Sequence, residues 1–153
     1  MLSAEGMPSM QPPPRKDVAR AILLFAFFNL AWELIQLPFY TIWNTGTPGQ
    51  IIYAVLHCTV GDVMIGIAIW AISRLVSGRS KQRPRSGWPL LTCFILLALV
   101  YTVLSEGRNV NVTGSWAYSA LMPLLPPLGT GLTPILQWII VPILTWFAAG
   151  DGV

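Results

Sequence analysis

Charge is what this chain has least of. Only 10% of its 153 residues are Asp, Glu, Lys or Arg, while 54% are hydrophobic. Soluble domains run near a quarter charged, so an ordinary soluble domain is excluded. The mean hydropathy is +0.63. Cysteine is nearly absent. Cys58 and Cys93 both lie inside apolar runs, where a thiol acts as a small hydrophobe, which leaves no disulfide framework. Histidine occurs once, at His57. There is no HExxH, CxxC, phosphate loop or GxSxG elbow, which removes the commonest hydrolase and nucleotide-binding signatures. The nine basic residues do not alternate with aromatics on one face, so nucleic acid is not the partner. No internal repeat is present.

What the chain does have is apolar length. A bilayer core takes about 20 residues of helix to cross. Four runs approach or exceed that, at about Val18–Tyr40, Gln50–Val76, Trp88–Ser105 and Pro134–Ala149. Pro142 falls inside the last and should kink it, which membrane helices tolerate. The predicted fold class is therefore all-α, a polytopic membrane protein with four transmembrane helices in a bundle. The segment from Glu106 to Pro134 is too broken by Pro and Gly for a plain span, yet "SALMPLLPPLG" within it is apolar. It predicts an interfacial or re-entrant element before the last helix. Residues 1–17 are proline-rich and lack an apolar period, so they read as a disordered cytoplasmic tail. Residues 18–153 form one domain. Glu33 interrupts the first run and no small-residue cleavage pattern follows it, so it reads as a retained helix rather than a signal peptide.

Basic residues set the orientation. Arg15, Lys16 and Arg20 precede the first span, and Arg74, Arg79, Lys81, Arg83 and Arg85 join spans two and three. The remaining connections carry only Arg108. By the positive-inside rule the expected location is a cell inner membrane, multi-pass, with both termini cytoplasmic.

The polar residues then converge in the outer half of the membrane. Asn29, Glu33, Gln36 and Tyr40 recur at steps of four, three and four, which places them on one helical face. Such a stripe can be interhelical glue, but an intramembrane carboxylate is costly and points to function. His57 and Asp62, in "LHCTVGDVMIG", lie about 140° apart on an ideal helix, so both cannot face one partner without distortion. Glu33 and His57 fall at similar depth on adjacent antiparallel helices, which predicts them within reach of one another, directly or through one water. Glu106 falls at the outer end of the third span, where the plainer alternative is an exposed pair with Arg108. Asn109 and Trp116 follow it, most aromatics at that level being interfacial anchors. On the last span Gln137 and Trp138 supply an amide and an aromatic wall. Candidate catalytic residues are thus Glu33, His57, Asp62 and Glu106. Candidate ligand contacts are Asn29, Trp32, Gln36, Asn109, Trp116, Gln137 and Trp138. One His and three carboxylates suit a divalent metal chemically, but no ligand pair sits at i, i+4, and the residues name no metal or cofactor.

The motifs "LHCTVGDVMIG", "SEGRN" and "GTGLTPILQW" resemble those of a small bacterial four-helix inner-membrane family. The resemblance extends over nearly everything after the tail except the basic connection. It implies a four-helix bacterial membrane protein and brings no activity with it. At the level of fold alone, the emopamil-binding-protein-like sterol isomerases are similar as small helical membrane proteins with an acidic, His and aromatic pocket.

Two functions follow. In the first, an outward-facing intramembrane pocket binds a small lipophilic molecule and acts on it by acid–base chemistry, with Glu33 as acid or base and His57 as its proton partner. In the second, the chain is a non-enzymatic accessory subunit of a larger membrane complex or homo-oligomer, and its polar groups fix helix register. The lipid bilayer is the common partner.

Overall fold

The computed structural model describes residues 15–77 and 87–150. The expected tail falls largely outside the described residues, as does the basic connection from Arg79 to Arg85. Four long helices dominate: α1 (Arg15–Gln36), α3 (Pro48–Ser77), α4 (Trp88–Asn111) and α5 (Leu132–Ala149). Each is long and apolar enough to cross a membrane. A short helix, α2 (Ile42–Thr45), and a two-stranded hairpin, β1 (Leu124–Leu125) with β2 (Thr130–Gly131), join them among the described residues.

Local chemistry explains the helix ends. Pro38 lacks the N–H that would continue α1, so the chain tightens into a 3₁₀ turn over Leu37–Phe39 and leaves it extended at Tyr40. Thr47 and Gln50 form a reciprocal cap at the start of α3. Gln50 Oε1 accepts from the Thr47 N–H at 2.8 Å, and Thr47 Oγ1 accepts from the Gln50 N–H at 3.4 Å. That is a capping box with Pro48 at the first helical position. α4 runs six residues past the Ser105 boundary that the sequence suggests, ending at Asn111. Asn109 Nδ2 donates back to Ser105 O at 2.9 Å, which ties the polar extension to the apolar helix.

The helices close a ring in the order α1, α3, α4, α5. Its surface is inverted relative to a soluble bundle. On α1, Leu23, Phe27, Leu34 and Ile35 are 57–71% exposed, while Asn29, Glu33 and Gln36 are buried. Apolar side chains this exposed need a lipid solvent, and the polar stripe is satisfied only inside the bundle. This is a multi-pass membrane protein.

At mid-depth the core is aromatic. Phe25, Phe94 and Trp138 meet with centroids 6.2–6.3 Å apart, packed with Ile69 and Ala98. Gly66 allows α1 this close to α3, since a Cβ there would stand 2.5 Å from the Phe25 ring. The two ends of the bundle differ. A loop end carries residues 37–47 and 112–131, and a basic end carries Arg20 and Arg74. At the loop end the two connections are stitched together. Thr41 N–H donates to Ala117 O and Ser119 N–H to Phe39 O, both at 2.9 Å, forming a bridge between Tyr40 and Tyr118. The segment before α5 is thus a strapped hairpin at the mouth of the bundle.

Candidate functional site

Two acidic centres face one cavity. The first is assembled from three helices around Gln137 of α5. Asn29 Nδ2 donates to its own helix, at Phe25 O (2.8 Å), which leaves its Oδ1 free to accept from Gln137 Nε2 (3.0 Å). The same nitrogen reaches Glu33 Oε1 at 3.2 Å and Asp62 Oδ2 at 2.8 Å. Gln36 Nε2 donates to Glu33 Oε1 (2.8 Å) and to Gln137 Oε1 (3.2 Å), and its own Oε1 accepts from Trp32 Nε1 (3.2 Å). An amide nitrogen has only two hydrogens, so its three acceptors share them. The carboxyls of Glu33 and Asp62 thus share one donor, the Gln137 amide nitrogen.

The second centre is Glu106 on α4. It is buried, at 7% exposure, and not paired at the surface with Arg108. The Tyr118 hydroxyl donates to its Oε2, which also accepts from Trp116 Nε1 at 3.4 Å. The Gly131 N–H in turn donates to the Tyr118 oxygen at 3.0 Å. This chain of donors ties the hairpin to the helix. Burial pushes the hydroxyls of Tyr118 and Tyr40 above the usual phenol range. For Tyr118 the hydrogen bond to Glu106 adds to this, and for Tyr40 the Glu106 charge does. Both therefore remain donors.

Both centres line a cavity of about 1010 Å³ at the loop end, walled by Tyr40, Cys58, Tyr101, Thr102, Ser105 and Asn109 among others. No Lys or Arg lines it among the described residues. Trp138 contributes to its floor and to the aromatic cluster beneath, so the polar space ends there.

The structure gathers Asn29, Trp32, Glu33, Gln36, Asp62 and Gln137 into one network. It places Glu106 and Trp116 in the second and sets Asn109 in the wall between. It does not join His57 to Glu33. That ring is exposed at the rim of the cavity and stacks on Tyr53, with centroids 5.4 Å apart and planes at 15°. The cause is the five-residue spacing. Only one of His57 and Asp62 can face Gln137, and the packing of α3 turns Asp62 and Cys58 inward. Gly61 also opens onto the cavity rather than serving a close helix contact, because a Cβ there would meet nothing within 4 Å. Both cysteines are free. Among the described residues no group of three or more His, Cys, Asp or Glu side chains is placed to hold a metal ion. Tyr118 is the partner that sequence reasoning missed. It lies twelve residues beyond Glu106 across an irregular loop, and no periodicity links the two.

Fold and cavity together define the class, a four-helix membrane bundle with an acidic, aromatic-walled cavity between its helices at the loop end. Compared with known protein families, curated proteins and solved structures, the chain matches none of them.

Proposed function

We propose that this is a bacterial inner-membrane protein whose cavity opens outward and binds a small lipophilic molecule bearing a positively charged group. The observation that carries this is the cavity lining, with three carboxyls, no Lys or Arg among the described residues and several aromatic faces. A cation entering it meets carboxylates at the depth of the Glu33–Asp62 pair, and the Tyr and Trp rings attract it further. The orientation rests on the charge asymmetry of the sequence, in which eight of the nine basic residues lie at or before the start of the first span or around the connection between the second and third, the side that the positive-inside rule makes cytoplasmic. The carboxyl pair is suited to taking or giving one proton at a bound ligand, which makes Glu33 and Asp62 the acid–base residues of any reaction there. His57 at the rim is a gate-side contact in this scheme rather than their direct partner.

The test uses a dansyl-labelled alkylamine and the matching alkyl alcohol as fluorescent probes, titrated into the purified protein in nanodiscs. The wild type should bind the amine more tightly than the alcohol. Glu33→Gln and Asp62→Asn should lose that preference while keeping helical circular dichroism. Equal binding of the two probes by the wild type would end the proposal.

In a second, non-enzymatic reading, an accessory subunit or homo-oligomer, the polar groups serve to fix helix register, as Gln137 does for α1, α3 and α5 within this chain. In that case Glu33→Gln loosens assembly in crosslinking and leaves probe binding unchanged.

A further inference from the structure

The opposite end of the bundle holds a second, smaller space that the cavity reading does not use. A slot of about 160 Å³ lies between the helices at the basic end, lined by Ile22, Phe25, Trp70, Leu91, Phe94 and Trp146 among others. Its walls are apolar. The aromatic cluster of Phe25, Phe94 and Trp138 separates it from the acidic cavity. Apolar cavities near this size stay dry and take up apolar guests, so water is not its natural occupant. Two of its lining residues, Ile22 on α1 and Ile67 on α3, are exposed, which opens the slot toward the surrounding lipid between those helices.

Cations border it. The Arg74 guanidinium stands 4.6 Å from the centroid of the Trp70 ring, one of the slot's walls. Arg20 lies beside the lining residues Ala21 and Ile22 and donates to Ala148 O at 3.0 Å, next to the lining residue Ala149. Both arginines are exposed, and among the described residues no carboxylate lines the slot. Among the described residues the partner of each is neutral, a ring face for Arg74 and a carbonyl for Arg20.

We propose that this slot is a binding site for one anionic phospholipid, with part of an acyl chain between α1 and α3 and the phosphate headgroup held by Arg20 and Arg74. Basic pockets between transmembrane helices select anionic headgroups in this way, and the apolar slot fixes where the chain enters. The site stands independently of what the acidic cavity binds.

The experiment is native mass spectrometry of the full chain released from nanodiscs of equal parts phosphatidylglycerol and phosphatidylcholine. Wild type should retain one phosphatidylglycerol in preference to phosphatidylcholine by about fivefold or more, two headgroup-level cations being involved. Arg20→Gln with Arg74→Gln should bring that ratio to about one. Ala21→Phe, which fills the slot with an apolar ring, should lose the retained lipid with both arginines present. Equal retention of the two lipids by the wild type overturns the proposal without recourse to any variant. So does a preference that survives loss of both arginines, or a lipid that stays bound in a folded Ala21→Phe protein.

Discussion

Replacing Gln137 with Leu removes the residue that joins α1, α3 and α5. Its side chain is 3% exposed, and its hydrogen bonds go to protein groups on α1 and α3. Two of the three contacts of Nε2 can be made at full strength at once, and Oε1 accepts one more from Gln36. At about 0.6–1.5 kcal/mol each, the lower figure being typical within membranes, three bonds contribute about 2–4 kcal/mol. Glu33 and Asp62 also lose their shared donor, which costs about 1–3 kcal/mol more. The added apolar contact of leucine offsets about 1–2 kcal/mol of this. The net expectation is a loss of about 3 kcal/mol. Reversible unfolding by steric trapping in bicelles reads this directly, with Thr133→Val as a half-buried control on the same helix. A loss below about 1 kcal/mol would mean that the network is not what holds these helices together. A double-mutant cycle with Asp62→Leu should then also show no coupling.

Gly66→Leu should destabilise by about 1–3 kcal/mol through overpacking against Phe25, whereas Gly61→Ala should be tolerated. Thermal unfolding in detergent distinguishes the two, and equal effects would contradict the helix contact. Tyr118→Phe should free the hairpin from Glu106, seen as faster hydrogen exchange at the Thr41 and Ser119 amides with α1 and α3 unchanged. The folded state keeps the Tyr40 and Tyr118 protons above their ordinary pKa of 10.0. Stability should therefore be intact below that pH and fall as pH rises above it. Replacing both with Phe should flatten the fall, and an unchanged alkaline profile would refute it. A single cysteine introduced beside Arg83 on a Cys-free background should be labelled only after cells are permeabilised, and labelling of intact cells would reverse the proposed orientation.

Much of this architecture is local in origin and legible in the chain. Apolar length produces four helices, Pro38 ends the first, and Thr47 with Gln50 begins the next long one. The four-three spacing of Asn29, Glu33 and Gln36 fixes their common face, because helical geometry depends on nothing beyond the chain itself. Packing decided the rest. Spacing shows that His57 and Asp62 diverge, but the rotation of α3 against α1 and α5 determines which of them enters the network. The burial of Glu106 depends on a helix that continues through "EGRNVN" and on a tyrosine returned to it by the hairpin. Gln137 becomes the hub only because three helices bring their acceptors to one nitrogen. A sequence pattern specifies which way a side chain points from its own helix. What it meets there is set by neighbours distant in the chain, whose register is fixed by van der Waals fit and hydrogen-bond satisfaction across the whole bundle.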